Sequence, residues 1–336
     1  MLTQWISGNE VFVELALEWD GLVDSAMTAT PFQTLAYQKA WWTHLGPGEL
    51  HTVVVRDEQH HLCAIACFFL FEGMLHFNGC VEETDYLDLI STAEQAVVAW
   101  ESVFDLLEDA DFPAWRGLNL CNVPDASPSR SILSGIASNR GYHFKTEVQE
   151  VCPVISLPDT FDQYLLSLDK KQRHEIRRKM RRAAAASADL YVTGATDDLA
   201  AAVDEFLRLL QLSTAEKEDW LNEGRRTMFH EVAAAAHKEE NLQLLFLRRN
   251  GQNAAALYNF DYNDRIWVYN SGFDIVQFGH LSPGVVLTAG AIEMAIEAGR
   301  ETFDFLRGGE EYKYRFGAQN TLIHHLQLER PDRHPE

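Results

Sequence analysis

Residues 242–271 read LQLLFLRRNGQNAAALYNFDYNDRIWVYNS. Three apolar and aromatic runs, Leu242–Arg248, Ala254–Asp261 and Arg265–Ser271, are parted by Arg249-Asn250-Gly251 and Asn263-Asp264. Asn, Asp and Gly accept the left-handed backbone that tight hairpin turns demand, so the stretch is expected to form a three-stranded antiparallel meander. Upstream, the pattern predicts a strand at Leu190–Thr193, a helix at Asp197–Leu210 whose first turn is acidic, and a helix at Arg226–Lys238. Downstream it predicts a helix from Pro283 to Ala298 closed by Gly299, a strand at Thr302–Leu306, a polar aromatic segment at 307–317 and a last strand at Leu322–Leu328.

The first half of the chain repeats this order approximately. A strand near Thr3–Ile6 precedes a helix over Glu10–Met27. A second helix, Phe32–Leu45, is introduced by Thr30 as N-cap with Pro31 at its first position. Leu50–Arg56 and Leu62–Phe71 read as a hairpin, Met74–Asn78 as a third strand. Ala93–Glu108 (helix), Arg116–Cys121 (strand), Ser129–Asn139 (helix) and Tyr142–Val148 (strand) follow. A chain of 336 residues exceeds what one core usually supports, so two domains are expected, as a tandem duplication whose element order outlived its sequence similarity. The expected boundaries are an N-terminal domain over 1–158, a basic linker helix over 159–188 and a C-terminal domain over 189–336. The fold class is α/β with a mixed sheet.

The composition is that of an ordinary globular protein. Five cysteines, odd in number and set among apolar neighbours, imply reduced core thiols rather than a disulfide framework. The first twenty residues lack a basic n-region and carry Glu10, Glu14 and Glu18, unlike a secretory signal. No apolar run approaches the ~18 residues of a membrane span. These features together imply a cytoplasmic protein without a transmembrane segment.

The formal charge of −22 is unevenly spread. Residues 168–182, LDKKQRHEIRRKMRR, hold eight Lys and Arg against two acids, a local +6 that leaves −28 on the remainder. Apolar Phe161, Leu165, Leu168, Ile176 and Met180 mark one buried face of this helix. Arg173, Arg177 and Arg181 stack on an adjoining face, where like charges repel. That face either binds phosphates of an acceptor, a tRNA or a lipid carrier, or pairs with the acidic rest of the protein.

The order β-α-α-β-β-β-α-β resembles the core of the GNAT (Gcn5-related N-acetyltransferase) superfamily. Several segments resemble its cellulose-biosynthesis-associated, CelD/BcsL-like branch: Thr30-Pro31-Phe32-Gln33-Thr34 with Trp41-Trp42; Lys170-Lys171-x-Arg173-His174-x-x-Arg177-Arg178; His280-Leu281-Ser282-Pro283-Gly284; and Asp304-Phe305-Leu306-Arg307-Gly308 with Glu311-Tyr312-Lys313-Tyr314-Arg315. The match spans nearly the whole chain and is most specific over 270–318. That branch is similar to the Fem-type aminoacyltransferases, which carry two GNAT units in tandem. The resemblance implies tandem GNAT domains and transfer of an acyl group from acetyl-CoA or another acyl-CoA, without a metal, to an amine or hydroxyl on a sugar or other polysaccharide precursor.

A site of this kind needs a strand edge for the pantetheine arm, a helix start for the diphosphate, and groups that manage one proton and one oxyanion. Ser282 is expected as N-cap before Pro283, leaving the amides of Gly284, Val285 and Val286 to face phosphate oxygens. Tyr269 and Ser271 end the preceding strand, where Gly272 would let strands splay. The usual GNAT phosphate loop is absent, and Gln277-Phe278-Gly279-His280 matches it only partly, so a plain helix cap is the competing reading. Asp304 lies in an apolar strand and either faces the cleft or has a buried partner. Asp304 or Glu310 is expected as base, Tyr312 as acid, Lys313 or Arg315 as electrostatic stabiliser, and Arg307, Arg173 and Arg177 as phosphate or acceptor contacts. Against this stands a structural Asp304–Arg307 ion pair with the aromatic residues as packing.

Other features point to structure. His60-His61 with Cys63 and Cys67 spread too far along a strand to share a tetrahedral ion. His324 and His325 point to opposite faces of a strand, and Trp41-Trp42 reads as packing. Two rival functions remain: a Fem-type enzyme that takes its acyl group from aminoacyl-tRNA, which the basic helix favours, and a non-catalytic GNAT module of an exopolysaccharide assembly.

Overall fold

Both turns of the central meander form as their composition dictates. Asn250 and Gly251 have φ of 51° and 77°, and Asn263 and Asp264 have φ of 54° and 55°, values whose twist matches that of the flanking strands. They set the registers Arg249↔Gln252 and Tyr262↔Arg265. The computed structural model describes residues 1–80, 83–213 and 219–331. The chain divides into two units, one of Met1–Val151 with the residues from Leu322 onward, the other of Cys152–Thr321.

In chain order the strands are β1 (Leu2–Ser7), β2 (Glu49–Arg56), β3 (Leu62–Phe71), β4 (Met74–Phe77), β5 (Ile90–Ser91), β6 (Gly117–Pro124), β7 (His143–Ser156), β8 (Ala188–Val192), β9 (Leu242–Arg249), β10 (Gln252–Tyr262), β11 (Arg265–Phe273), β12 (Thr302–Asp304) and β13 (Gln319–Glu329). Within the first unit the order is β1-β2-β3-β4-β6-β13, with β5 beside β3; within the second it is β8-β9-β10-β11-β12-β7. The two orders correspond position by position. Each contains one parallel pair, β4 with β6 and β11 with β12. The sixth position is filled crosswise: residues 323–329 of β13 pair with β6, and residues 154–156 of β7 pair with β12.

In the second unit, side-chain alternation along β10 sends Ala255 and Leu257 to one face and Tyr258 and Phe260 to the other. The helix Pro283–Glu297 covers the first face with Leu287, Ala291, Ile292 and Ala295 in a single core cluster. Each leucine buried there contributes about 1.5–3 kcal/mol. On the second face, Phe206 and Phe229, from the helices Leu199–Ser213 and Glu223–Lys238, set their rings tilted and edge-on against Tyr258. Gly272 admits the first of these helices, since a Cβ there would lie 2.3 Å from the Leu210 nitrogen.

The basic helix spans Lys170–Ala185, capped by Asp169, whose carboxylate accepts the N–H groups of Lys171 and Gln172. It buries Ile176 and Ala183 in the same core cluster as the helix Pro283–Glu297. It is thus part of the second unit, not the separate linker expected over 159–188. The expected boundaries also shift because residues from Leu322 onward belong to the first unit.

Three local expectations need correction. Along Glu10–Met27 the helical period of burial persists at Val11, Phe12, Leu15, Trp19, Leu22 and Val23, but the helix is broken into Val11–Glu14 and Trp19–Asp24. At the next helix, Pro31–Gln33 is a 3-10 turn and the α-helix begins at Leu35. Thr30 does hold the N-cap position of that turn, but its side chain caps no amide, and its hydroxyl donates instead to the Tyr86 carbonyl at 3.4 Å. The cysteines are not all reduced: Cys80 and Cys121, 41 residues apart, form a disulfide with Cα atoms 5.7 Å apart, while Cys63, Cys67 and Cys152 are free and buried.

That disulfide ties β6 to the loop after β4, and in this unit the opening beyond the parallel pair is filled. Asn78, Thr84, Asp85 and Asp88 are all buried. The Tyr37 hydroxyl donates to the Glu83 carbonyl, and the Asn122 side-chain amide donates to the Thr84 carbonyl at 2.7 Å. Asp88 accepts from the hydroxyls of Thr28 at 2.8 Å and Ser129 at 2.6 Å. Among the described residues, no single helix is long and apolar enough to cross a membrane.

Candidate active site

In the second unit the corresponding opening is a cavity. β11 and β12 pair only from Arg265↔Thr302 to Trp267↔Asp304; beyond that β11 continues to Phe273 while the other chain turns away. The turn has an identifiable cause. The fully buried Asp304 accepts the Leu306 N–H through Oδ1 at 2.8 Å, and Leu306 adopts φ 58°. Asp304 Oδ2 accepts from the Arg265 guanidinium at 3.3 Å. On the opposite side, the register steps from Tyr258↔Asn270 to Asn259↔Val268, leaving Tyr269 unopposed in a bulge, a feature that bends a strand.

The wedge opens into a cavity of about 420 Å³ with apolar walls that include Leu257, Val268, Phe273, Leu287 and Phe305. Ser282, Pro283, Gly284 and Val285, the start of the long buried helix, line it too. Ser282 holds the N-cap position of that helix as expected, but its side chain caps no amide there. It adopts the left-handed conformation and its hydroxyl accepts from the Arg182 guanidinium at 2.9 Å. Its carbonyl accepts the N–H groups of Val285 and Val286 at 3.1 and 3.2 Å. Of the three amides expected to be free, only that of Gly284 has no protein acceptor among the described residues. A helix start still favours an anion, and two cations unforeseen in the sequence reinforce it. Lys179 lines the cavity, and the buried Arg182 Nε has no hydrogen-bond partner among the described residues. Their signal was their i, i+3 spacing beside the buried Ile176 and Ala183.

Tyr312 lies in the cavity wall, its ring edge-on to Phe305 with centroids 6.0 Å apart. Burial, with the Glu310 charge second, pushes its phenol pKa up, so it holds its proton through neutral pH. Ser271 lines the same cavity. Arg315 lines a neighbouring groove of about 370 Å³ and pairs with Glu311 at 2.8 Å.

The remaining candidates lie elsewhere. Tyr269 turns into the aromatic cluster with Phe229, Tyr258 and Phe260, and Val286 into the core. Asp304 lines neither hollow, and its expected role as base gives way to the Arg265 pair and the Leu306 turn. Lys313 is buried, and its ammonium donates to the carbonyls of Leu306, Arg307 and Gly308 at 3.2, 2.8 and 2.9 Å while pairing with Glu310 at 2.9 Å. It is thereby committed to holding the loop rather than to an oxyanion. Arg307 lines neither hollow; Arg173 donates to the Leu166 carbonyl at 3.3 Å, and Arg177 pairs with Asp162 at 3.1 Å. Among the described residues no group of three or more His, Cys, Asp or Glu is arranged to hold a metal ion.

Residues 170–314 match the family model of the acetyltransferase (GNAT) domain. The match starts at the basic helix, which therefore belongs to the domain. Among solved structures, FemX is similar over 96% of this chain and 96% of its own, with a TM-score of 0.69 and 10% identity. A conserved protein of unknown function from Bacteroides thetaiotaomicron VPI-5482 is similar over 98% of this chain and 100% of its own (TM-score 0.64, 10% identity). The C-terminal domain of a putative lysylphosphatidylglycerol synthetase from Agrobacterium fabrum is similar over 95% and 92% (TM-score 0.60, 11% identity). At these identities the likeness is one of fold. No match was found among curated protein sequences. Together with the matching strand orders of the two units, these findings make the fold a mixed α/β one, with a GNAT domain in the second unit and the same strand order repeated in the first.

Proposed function

We propose that the chain is an acyltransferase that moves an acyl group from acyl-CoA to an amine or hydroxyl of a sugar or polysaccharide precursor in the cytoplasm. The acceptor class rests on the motif resemblance to the CelD/BcsL-like branch. The donor rests on one observation: an apolar cavity between diverging strands that opens at a helix start flanked by Arg182 and Lys179. The cavity suits a thioester arm, and the Gly284 amide with the two cations suits its diphosphate.

In the transfer, the acceptor nitrogen attacks the thioester carbonyl carbon, a C–N bond forms and the C–S bond breaks. Tyr312 delivers its proton to the departing thiolate, a task fitted to a phenol that stays protonated at neutral pH. Asp304 pairs with Arg265 and Glu310 with Lys313, and neither lines the cavity, so the proton of the amine passes to solvent.

An aminoacyl-tRNA donor is the second reading, favoured by the exposed cations Arg177, Arg178 and Arg181. Thermal melting with acetyl-CoA, longer acyl-CoAs and aminoacylated tRNA separates the two. A ligand at a hundred times its Kd stabilises the protein by about 2.7 kcal/mol. A rise in Tm with acyl-CoA alone supports the first reading, and a rise with charged tRNA alone supports the second. No response to any of them favours a non-catalytic module.

A further inference from the structure

In the first unit, β6 and β13 pair through Gly117↔Glu329 and Asn119↔Gln327. The Arg330 N–H then donates to the Arg116 carbonyl at 2.9 Å, which extends the ladder by one step and sets two arginines on neighbouring strands. A hollow of about 620 Å³ opens there, and Arg116, Asn119, Gln327, Glu329 and Arg330 all line it. None of these five residues lines the donor cavity or the groove beside it. The Arg330 guanidinium lies over the Trp115 ring, 5.0 Å from its centroid, and Trp115 is fixed in turn because its indole N–H donates to the Leu107 carbonyl at 2.6 Å. Arg116 donates to the Glu72 carbonyl. Among the described residues neither guanidinium pairs with a carboxylate, although acids outnumber Lys and Arg by 50 to 28 in the chain. Two cations facing one hollow repel each other, and an anion between them relieves that repulsion.

We propose that this hollow binds an acidic sugar, a hydroxylated ring that bears a carboxylate or a phosphate. The planar forks of Arg116 and Arg330 suit the oxyanion. The remaining lining suits hydroxyls. His325 Nε2 is bonded to Asn119 Oδ1, and His325 Nδ1 stands 3.5 Å from Glu147, so the Asn119 amide is held by its oxygen and keeps its nitrogen to donate. Gln327 adds a second amide, and Glu329 is a carboxylate able to accept from a hydroxyl. Met74 and Pro331 give apolar contact for ring carbons. The volume falls within the ~300–1,000 Å³ of small-molecule sites. A bare oxyanion would engage the arginines and leave the amides idle, and a neutral sugar would do the reverse; an acidic sugar uses both. The site lies within the first unit and does not rest on the donor assignment.

The test titrates glucuronate, glucose 6-phosphate, glucose and inorganic phosphate calorimetrically into the full chain, with no acyl-CoA present, so its outcome is separate from that of the donor reading. At least one acidic sugar should bind about tenfold more tightly than glucose and than inorganic phosphate, and the tighter of the two identifies the carboxylate or the phosphate as the group held. Arg116→Gln and Arg330→Gln should each weaken that binding about tenfold. Gln327→Glu keeps the size of the side chain but adds a negative charge, and should abolish it; this variant decides the matter if urea midpoints show an arginine variant to be unfolded. Lys39→Gln, at an exposed lysine of the helix Leu35–Leu45 away from the hollow, should leave the affinity unchanged. Glucose or inorganic phosphate binding as tightly as the acidic sugars, no binding of either acidic sugar, or binding that survives Gln327→Glu overturns the proposal.

Discussion

Asp304 accepts the Leu306 N–H at 2.8 Å and so supports a left-handed backbone at a leucine, with φ 58°. A non-glycine residue is strained there, and the hydrogen bond marks the point at which the chain leaves the sheet and the cavity begins. The first unit has a counterpart in Asn122 of β6, at φ 62°. There the Leu87 N–H donates to the Asn122 carbonyl at 2.9 Å, and the loop that carries Leu87 fills the opening.

Asp304→Ala removes a buried partner of Arg265 and the acceptor for Leu306, so urea denaturation should show a loss of about 3 kcal/mol. Asp304→Asn keeps an acceptor for the Leu306 amide and should cost less. If Asp304 were instead the catalytic base, Asp304→Asn would abolish turnover while leaving stability nearly untouched.

Tyr312→Phe should lower kcat about a hundredfold while acyl-CoA affinity, read by calorimetry, stays within about twofold. Because the phenol is held above its ordinary pKa, Tyr312 should remain protonated, and impose no fall in rate, up to about pH 10.

Arg182→Gln should weaken acyl-CoA binding about tenfold, through loss of a charge-assisted contact at the helix start. Equilibrium titrations at low and high salt should show a shallower salt dependence for the variant. An unchanged affinity would remove Arg182 from the donor site.

Gly272→Ala places a methyl group 2.3 Å from the Leu210 backbone nitrogen, which cannot move without shifting its helix. A loss of about 1–3 kcal/mol is expected, measured as a lower urea midpoint. The identical change at Gly251, where a Cβ has open space, should cost less and only through its positive φ.

Burial pushes the Asp88 carboxyl pKa up against the opposing hydrogen bonds of Ser127, Ser129, Thr28 and the Leu89 N–H. The folded protein then holds this proton more tightly than the unfolded chain does. The resulting stability is fully present below the unfolded pKa of about 4 and is lost as pH rises through the folded one. Urea midpoints measured between pH 4 and 7 should carry this decline in the intact protein, and Asp88→Asn should flatten it.

Where local chemistry decides structure, the sequence was legible. Asn250-Gly251 and Asn263-Asp264 gave the meander, and apolar periodicity gave the long helices and the α/β class. Of the candidate site, Ser271, Ser282, Gly284, Val285 and Tyr312 do meet at one cavity. What failed were inferences that needed a partner distant in sequence. Asp304 finds Arg265, 39 residues earlier, Ser282 is taken by Arg182 a hundred residues earlier, and Cys80 meets Cys121 across the loop. The basic run was read as a linker helix with one buried face, and its conspicuous arginines Arg173, Arg177 and Arg181 drew the expected site to the adjoining face. Its inward residues Lys179 and Arg182 acquire meaning only once Ile176 and Ala183 are seen to dock. Tyr269 was misjudged for a subtler reason, since a bulge inverts the alternation that assigns strand residues to faces.

The crosswise sixth strands have a consequence for biosynthesis. A ribosome delivers residues 1–151 long before it delivers 323–329, so β6 waits with an open edge while the entire second unit is being made. Cutting the gene between the halves would leave the first product short of its last strand and prone to self-association. A fragment intended to carry the donor cavity alone has to begin no later than Cys152, well upstream of the first residue that the GNAT domain model recognises.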